Sequence, residues 1–294
     1  MTSCLVAGQR GMLASALTAC ARESAFASQL DIHGRDLPEL DITSPDSVRA
    51  AFDEIRPGMV VNCAAWTDVD GAESHPREAF YVNAAGPEIL ARACRRSGAL
   101  LVHIGTDFVF DGRLRRPYRE ADEPNPLSAY ARTKLLGERA VAQVAPEHLI
   151  VRTAWLYGPG GKNFVDTILQ LAREKGKLRV VDDQRGSPTF TGVLSRLIWQ
   201  LLERGARGLY HVAGSGSATW YDLASAAVET AGLECFVEPV SSEEFPRPAR
   251  RPPNSALDCT KAEELLEESI PHWKMGLRAY LAPDGSPWAL TGVQ

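Results

Sequence analysis

A tyrosine and a lysine stand four residues apart in the segment Tyr130-Ala131-Arg132-Thr133-Lys134. On a helix this spacing places a phenol and an ammonium group on one face. A phenol ionises near pH 10, so it exchanges a proton at neutral pH when a nearby cation, here Lys134, favours the phenolate. An isolated match of this kind is typical of a surface tyrosine and a solvated lysine. Other motifs accompany this one, and together they predict acid–base chemistry at Tyr130.

A glycine-rich turn follows the first predicted strand, residues 4–7, and leads into a helix from Met12. The turn has the pattern Gly8-x-x-Gly11-x-x-Ala14. The first glycine permits a sharp turn, the second lets backbone amides approach a pyrophosphate, and the small Ala14 lets the helix lie close to the sheet. Because a strand precedes the turn and a helix follows it, the pattern favours a dinucleotide site over a simple tight loop.

The end of the second predicted strand, residues 29–34, indicates which dinucleotide binds. An acidic side chain about 20 residues beyond the glycines would bind a ribose 2′-hydroxyl. Here Arg35 follows Gly34, and a guanidinium suits the 2′-phosphate of NADP(H). Asp31 and Asp36 leave the register open, and Arg35 as a solvated loop charge is the alternative. We therefore expect NADPH as the cofactor, with NADH as a second candidate.

The composition is that of an ordinary enzyme. The chain has 294 residues, a formal net charge of −5 and 45% hydrophobic residues. Its one concentrated basic run, residues 247–251, is short and broken by proline, which favours a small anionic ligand over nucleic acid. No apolar run reaches the roughly 20 residues that span a bilayer, and the N-terminus enters a strand rather than a signal peptide. We expect a cytoplasmic protein that binds neither nucleic acid nor a membrane.

The cysteines and histidines show no metal-binding pattern. Six cysteines are scattered without a C-x-x-C pair, which indicates reduced core thiols. The six histidines do not cluster with carboxylates or cysteines at ligand spacing, and His103, inside a predicted strand, is expected to be a satisfied core residue. We expect no catalytic metal.

Predicted strands alternate with predicted helices, which implies right-handed crossovers and a parallel sheet. The first half has strands at residues 4–7, 29–34, 59–62, 100–105 and 148–152, with helices from Met12, Pro45, His75 and Tyr130. The second half has helices from Asn163, over residues 191–203 and from Trp220, and strands at residues 178–181 and 209–212. Thr219 and Asp222 predict a capping box before the Trp220 helix.

This alternation predicts an α/β fold, a Rossmann-type doubly wound parallel sheet with a smaller C-terminal substrate-binding lobe. We expect residues 1–152 to form an NADP-binding Rossmann domain. Residues 153–294 would then mainly form the substrate-binding lobe, with interleaved elements and a soft boundary.

Nine ordered motifs cover nearly the whole chain. They are Gly8-x-x-Gly11-x-x-Ala14, residues 62–70, residues 105–112, Tyr130-x-x-x-Lys134-x-x-Gly137-Glu138, residues 152–158, residues 161–164, Gln184-x-Gly186-Ser187-Pro188-Thr189, residues 210–214 and residues 248–252. In these motifs the chain resembles the extended short-chain dehydrogenase/reductases and, within them, the dTDP-4-dehydrorhamnose reductase family.

The resemblance implies a catalytic trio of Thr106, Tyr130 and Lys134. Tyr130 would protonate the fourth oxygen of the sugar while the nicotinamide delivers hydride to the fourth carbon, and Lys134 would also hold the nicotinamide ribose. The implied cofactor-binding residues are Gly8, Gln9, Arg10, Gly11, Met12, Leu13, Arg35, Asp41, Ile42, Ala64, Ala65, Tyr130 and Lys134. The implied substrate-binding residues are Thr106, Asp107, Trp155, Asn163, Arg250 and Arg251, the two arginines at the pyrophosphate.

The chain departs from the family pattern in two places. Family members commonly carry Ser-Thr-Asp-Tyr where this chain has Gly105-Thr106-Asp107-Phe108, so Thr106 must alone provide any hydrogen bond that the serine would share. Some relatives dimerise through magnesium held by glutamates after the glycine turn and after the Pro-Thr block. Residues 14–16 and 190–192 contain no carboxylate here, which puts a metal-bridged dimer in doubt and leaves a homodimer of another kind open.

Three functions follow from the residues and the resemblance. The first is NADPH-dependent reduction of the 4-keto group of dTDP-4-dehydro-L-rhamnose to dTDP-L-rhamnose, for polysaccharide biosynthesis. The second is 4-ketoreduction of another dTDP-deoxysugar in antibiotic biosynthesis. The third is a non-catalytic, NADP-binding regulatory subunit, which the intact Thr106, Tyr130 and Lys134 disfavour. The sequence leaves the ketosugar's stereochemistry and the oligomeric state open.

Overall fold

The computed structural model describes residues 1–282. Its strands are β1 (Thr2–Ala7), β2 (Leu30–Arg35), β3 (Met59–Asn62), β4 (Leu100–Thr106), β5 (His148–Thr153), β6 (Leu156–Tyr157), β7 (Lys177–Val181), β8 (Arg185–Gly186), β9 (Thr189–Phe190), β10 (Gly208–His211), β11 (Ala218–Thr219) and β12 (Phe236–Val240). Its α-helices are α1 (Met12–Ala21), α2 (Pro45–Ile55), α3 (Gly71–Ser74), α4 (Pro76–Phe80), α5 (Gly86–Ser97), α6 (Ala129–Val144), α7 (Phe164–Glu174), α8 (Thr191–Glu203), α9 (Trp220–Thr230), α10 (Thr260–Leu266) and α11 (Trp273–Leu281).

Six strands form a parallel sheet in the order β10-β5-β4-β3-β1-β2. Alternate residues of each strand point to opposite faces. Cys4 and Val6 of β1 therefore pack in one core with α1 and α8, whereas Leu5 and Ala7 pack in the other with α2 and α5. Helices thus cover both faces, as a parallel sheet requires. The predicted α/β fold with a doubly wound parallel sheet is confirmed.

The strand order reverses between β1 and β3, because the chain runs from β1 to β2 in one direction and from β3 onward in the other. In such sheets a crevice opens outside the carboxyl ends of the strands at the reversal, and ligands bind there. The glycine turn after β1, the loop after β3 and the end of β4 all lie at this edge. The topology therefore brings the predicted dinucleotide turn and Thr106 to one place.

The helix predicted from His75 is present over residues 76–97 as α4, a π-helical turn at Tyr81–Ala85 and α5, which follow one another without a break, and the short α3 precedes it. Pro76 stands at the first helical position, where its missing amide hydrogen costs nothing, and Pro87 lies just after the π-helical turn, so one backbone hydrogen bond is absent there. The Asn83 side chain accepts a hydrogen bond from the Trp66 amide and donates to the Trp66 carbonyl, at 2.9 and 3.1 Å. These two hydrogen bonds fix the loop after β3 to the helical layer.

The second half of the chain contributes both to the main sheet and to a smaller lobe. β10 pairs with β5 and α8 packs against α1, so these elements belong to the large layer structure. β7 and β12 form a separate parallel pair, covered by α7 and α9. Elements from the two halves of the chain therefore interleave in space. The domain boundary expected at residue 152 stays a prediction. No helix within residues 1–282 has the length and apolar character to cross a membrane.

The capping box predicted before α9 is confirmed. The Thr219 hydroxyl accepts a hydrogen bond from the Asp222 amide at 3.0 Å, and the Asp222 carboxylate accepts one from the Thr219 amide at 2.9 Å. Two otherwise unpaired amides at the helix start are thereby satisfied. The box fixes where α9 begins, and hence where Trp220, its first residue, projects.

Candidate active site

A cavity of about 720 Å³ lies at the carboxyl edge of the sheet, within the range of small-molecule sites. It is lined by the glycine turn, the loop after β3, the end of β4, the start of α6 and the segment after β5. Of the predicted site residues, the lining includes Arg10, Gly11, Met12, Leu13, Ala64, Ala65, Thr106, Asp107, Tyr130, Lys134, Trp155, Asn163 and Arg251.

The glycine turn supplies backbone amides to this cavity. Gly8 has a positive φ of 80°, and a Cβ on it would lie 2.7 Å from the Ala64 nitrogen. Only glycine fits such a position. Gly11 immediately precedes α1. No side chain caps the first turn of this helix, and that turn contains no acidic residue. Unpaired amides and the positive end of the helix dipole therefore face the cavity, which suits a pyrophosphate.

Hydrogen bonds of Asn62, at the end of β3, connect the loop after β3 to His103 on β4. The Asn62 side-chain oxygen accepts from the Ala64 amide at 3.2 Å, and its amide nitrogen lies 3.1 Å from His103 Nδ1. Because the Asn62 oxygen is engaged, His103 Nδ1 is the acceptor in this contact. Burial lowers the pKa of His103 well below its usual value, so the ring is neutral. Its Nε2 has no partner among residues 1–282, so His103 is a core residue that is only half satisfied.

Thr106, Tyr130 and Lys134 meet at the centre of the cavity. α6 begins at a Ser128 cap, whose side chain accepts from the Ala131 amide, and the helix turns Tyr130 and Lys134 to one face. The Lys134 ammonium donates to the Ile104 carbonyl at 2.5 Å. The Thr106 hydroxyl accepts from the Phe108 amide at 3.3 Å. An acid, a cation and a hydroxyl therefore share one wall.

The ionisation of Tyr130 differs from the sequence-based expectation. Burial raises the pKa of the phenol to about 12, and a hydrogen bond with Thr106 opposes this rise. The neighbouring Asp107 and Glu138 carboxylates raise the pKa of the phenol further, while the Lys134 ammonium donates its hydrogen bond to the Ile104 carbonyl. Tyr130 is thus a protonated phenol at neutral pH, the form that donates a proton.

Asp107 is a buried carboxyl beside Thr106. Its Oδ1 accepts from the Thr106 hydroxyl at 3.2 Å, and its Oδ2 accepts from the Ser255 hydroxyl at 2.5 Å. Burial raises the pKa of Asp107 to about 7, although these hydrogen bonds act in the opposite direction. Sequence reasoning missed Ser255. It lies 148 residues from Asp107 in the sequence, and it belongs to none of the motifs that predict ligand-binding residues.

Trp155 lines the cavity in the segment after β5. Its backbone adopts a left-handed φ of 47°, which is rare for a bulky residue and typical of functional sites. Its ring stacks on Trp220 at 3.5 Å between centroids with an interplanar angle of 1°. Trp220 also lines the cavity, and sequence reasoning had placed it only at a helix start. The predicted substrate wall is a pair of indoles.

Asn163 and Arg251 line the cavity but already have protein partners. The Asn163 side chain caps α7 by accepting from the Asp166 amide at 3.0 Å and donates to the Gly158 carbonyl at 3.1 Å. Arg251 binds Asp70 with two hydrogen bonds of 2.7 and 2.9 Å, and this holds the pKa of Asp70 below its usual value. A ligand would have to share or displace these contacts.

The remaining predicted site residues do not line the cavity. The Gly8 and Gln9 amides donate to the Arg35 carbonyl, so they shape the turn from behind. The Arg35 guanidinium pairs with Glu54 at 2.8 Å. Three other predicted residues lie outside the cavity lining. The Asp41 carboxylate accepts hydrogen bonds from Thr43, Ile42 is buried against Gly86, and Arg250 is exposed. Their roles at a ligand stay predictions.

Within residues 1–282, no group of three or more His, Cys, Asp or Glu side chains is arranged to hold a metal ion. The absence of a catalytic metal stays a prediction.

The family model described as the RmlD substrate binding domain matches residues 1–285. A dTDP-4-dehydrorhamnose reductase of Mycobacterium tuberculosis is 44% identical over 292 residues, covering 95% of this chain and 92% of that protein. A dTDP-4-keto-6-deoxy-D-glucose reductase of Streptomyces niveus is 43% identical over 241 residues, covering 81% of this chain and 84% of that protein.

Among solved structures, a dTDP-4-dehydrorhamnose reductase of Bacillus anthracis in complex with NADP has a TM-score of 0.90 and 36% sequence identity. The match covers 95% of this chain and 99% of that one. Sequence and three-dimensional similarity therefore extend over both the dinucleotide half and the smaller lobe.

Proposed function

Because the chain belongs to the RmlD substrate binding domain family, we propose that it is an NADPH-dependent oxidoreductase that reduces the 4-keto group of dTDP-4-dehydro-L-rhamnose to give dTDP-L-rhamnose. The observation that carries this proposal is the shared cavity of Tyr130, Lys134 and the glycine turn. A proton donor, a buried cation and a pyrophosphate cradle are the parts that a ketone reduction with a dinucleotide needs.

The residues present fit a dinucleotide. A Cβ at Gly8 would collide with the Ala64 backbone, and the start of α1 has no side-chain cap, so the backbone leaves a cradle for phosphates. Gly11 and the first turn of α1 would hold the pyrophosphate, while Ala64 and Lys134 would hold the nicotinamide half. When bound, NADPH supplies the hydride that reduces the sugar carbonyl.

The chain's own chemistry is proton transfer and charge placement. Tyr130, protonated at neutral pH, donates its proton to the fourth oxygen of the sugar as negative charge develops there. Thr106 orients the phenol by a hydrogen bond. The Trp155 ring offers the deoxysugar methyl group an apolar wall, and the Arg251 guanidinium faces the diphosphate.

A second candidate is 4-ketoreduction of a different dTDP-deoxysugar, favoured by the similarity to the Streptomyces niveus enzyme. We would incubate the purified chain and NADPH with dTDP-4-dehydro-L-rhamnose or with dTDP-4-keto-6-deoxy-D-glucose, following NADPH absorbance and product configuration by NMR. Faster turnover of the first substrate, with dTDP-L-rhamnose as product, supports the proposal. A preference for the second selects the alternative, and NADPH binding without turnover of either contradicts both.

We also propose that the enzyme is a cytoplasmic homodimer. All six cysteines are free thiols, which suits a reducing compartment. Phe80, Tyr81 and Leu136 are large apolar side chains that are 42 to 45% exposed on the packed segments α4, the π-helical turn and α6. Light scattering after gel filtration would give twice the monomer mass, and Leu136→Glu would reduce it to the monomer value.

Replacing Tyr130 tests the proton donor. We expect Tyr130→Phe to lower kcat by about 10²- to 10⁴-fold, because the general acid is removed, while the dissociation constant for NADPH hardly changes. Tyr221→Phe, outside the cavity, is the matched control and should retain wild-type turnover. Near wild-type turnover of Tyr130→Phe would exclude the role.

Two arginines flank the end of β2, and their replacement tests the choice of cofactor. Arg10 lines the cavity and its amide donates to Asp36 at 3.0 Å, whereas the Arg35 guanidinium is paired with Glu54. We expect Arg10→Ala to weaken NADPH binding by roughly 10-fold or more through loss of a charge-assisted bond to the 2′-phosphate, with NADH binding unchanged.

Arg35→Ala should weaken NADPH binding less than Arg10→Ala does. If Arg35 instead leaves Glu54 and binds the 2′-phosphate, Arg35→Ala would weaken NADPH binding more than Arg10→Ala. Both dissociation constants are measured by quenching of tryptophan fluorescence. Equal NADPH and NADH constants in the wild-type protein would contradict a phosphate site at either arginine.

Arg251 lines the cavity and the adjacent Arg250 does not. Replacing each of them in turn therefore tests whether the position of Arg251 matters for substrate binding. We expect Arg251→Ala to raise KM for the dTDP-sugar by roughly 10-fold with little change in kcat, because uniform binding is lost. Arg250→Ala should have the smaller effect, since its side chain is exposed outside the cavity. An unchanged KM with a lowered melting temperature for Arg251→Ala would assign Arg251 to its Asp70 contact alone.

A further inference from the structure

α6 directs a third ionisable side chain to the face that carries Tyr130 and Lys134. Glu138 follows Lys134 by four residues, so it lies one helical turn further along the same face. It is 3% exposed, and Lys134 is 4% exposed. The proposed mechanism uses the phenol and the ammonium but gives no role to this carboxylate.

The carboxylate is held from the sheet. Both Nε and Nη2 of Arg152 on β5 donate to Glu138 Oε2, at 2.9 and 2.8 Å. On β4, Gly105 leaves the space that the pair occupies, since a Cβ there would collide with Glu138 Oε1 and come within 2.9 Å of Arg152 Cγ. The preceding residue, Ile104, holds the Lys134 ammonium. Consecutive residues of β4 thus place the ammonium and the carboxylate.

The ion pair is poorly suited to a purely stabilising role. Glu138 Oε1 and Arg152 Nη1 are buried and have no hydrogen-bond partner in the described part of the chain. When atoms of a buried ion pair lack hydrogen bonds, much of the free-energy cost of removing the charges from water is not recovered. A protein with apolar residues of similar volume in place of such a pair is often equally stable. The charge at this position therefore calls for an electrostatic explanation.

Glu138 is the carboxylate that raises the pKa of Lys134. The ionisable groups around the ammonium are Glu138 and Tyr130 on α6, Cys63 after β3, His103 on β4 and Asp107 after β4, together with Arg152 on β5, which binds Glu138. Burial raises the pKa values of Cys63 and Tyr130 to about 12 and lowers that of His103, so these three are neutral near pH 7. Burial raises the pKa of Asp107 to about 7, so this carboxyl is only partly ionised near pH 7. Burial lowers the pKa of Lys134 to about 8, and Glu138 opposes that fall.

We propose that Glu138, fixed by Arg152, is a positioning residue that keeps Lys134 in its ammonium form inside the cavity. A buried amine loses its proton readily unless an anion is near. The proposal deepens the proposed function and rests on it for the use of the ammonium in catalysis. The charge state of Lys134 itself can be measured without any sugar substrate.

The experiment measures that charge state directly. The full chain is labelled with ¹³C at lysine Cε, and each lysine signal is followed by NMR from pH 6 to 10, with Lys134→Arg identifying the Lys134 signal. The variants are Glu138→Gln and the double variant Glu138→Gln/Arg152→Met, in which methionine packs against Phe110 and leaves no buried unpaired guanidinium. Glu88→Gln, which breaks the exposed pair with Arg92 on α5, is the matched control.

We expect Lys134 to titrate near pH 8 in the wild-type chain and in Glu88→Gln. Removing a neighbouring anion favours the neutral amine, so the midpoint should fall by about one pH unit in the double variant. It should fall further in Glu138→Gln, where the Arg152 charge stands alone. In ketosugar assays, the alkaline loss of kcat should move to lower pH in the same order, with activity recovering at pH 6.

An unchanged Lys134 midpoint in the double variant would overturn the proposal, provided that thermal melting shows it folded. So would an equal loss of kcat at every pH, which is the signature of a merely structural pair. If the midpoint shifts as expected but the wild-type chain reduces no ketosugar, the inference about Glu138 holds and the proposed function fails.

Discussion

The carboxyl end of β4 is the constraint on which the candidate site depends. Three consecutive residues act there in different ways: the Ile104 carbonyl holds the Lys134 ammonium, Gly105 leaves room for Glu138 and Arg152, and Thr106 presents a hydroxyl. A shift of register by one residue would exchange the two faces of the strand and separate these functions. That register is fixed by pairing of residues 100–103 with β3 and of residues 101–106 with β5.

The two halves of the chain are tied together around the cavity by buried or half-buried polar contacts. Arg251 and the Ala249 amide bind Asp70, and the Ser255 hydroxyl binds Asp107. Both carboxylates belong to the first half of the chain, and their partners belong to one segment at residues 249–255. A sugar nucleotide that spans the two halves would therefore meet side chains whose positions are already mutually fixed, which lowers the entropy cost of binding.

Local patterns in the sequence were sufficient for the parallel sheet, the glycine turn and the tyrosine–lysine face. These features depend on short-range rules, such as the strand–turn–helix transition at Gly8 and the four-residue spacing on α6. Contacts between distant segments were not predictable in this way. Ser255 at Asp107, Glu54 at Arg35 and Trp220 at Trp155 depend on tertiary packing, for which the sequence carries no periodic signal. The π-helical turn inside the helix from His75 was not predictable for a related reason, because the Asn83 side chain in that turn hydrogen-bonds to the distant loop after β3.

The stacked indoles of Trp155 and Trp220 have an optical consequence. Two parallel rings 3.5 Å apart couple their electronic transitions, so they absorb and emit as a pair rather than as independent chromophores. One ring belongs to the segment after the main sheet, and the other begins α9 in the smaller lobe. The near-ultraviolet circular dichroism of the chain therefore reports the contact between these two rings, readable without any attached label.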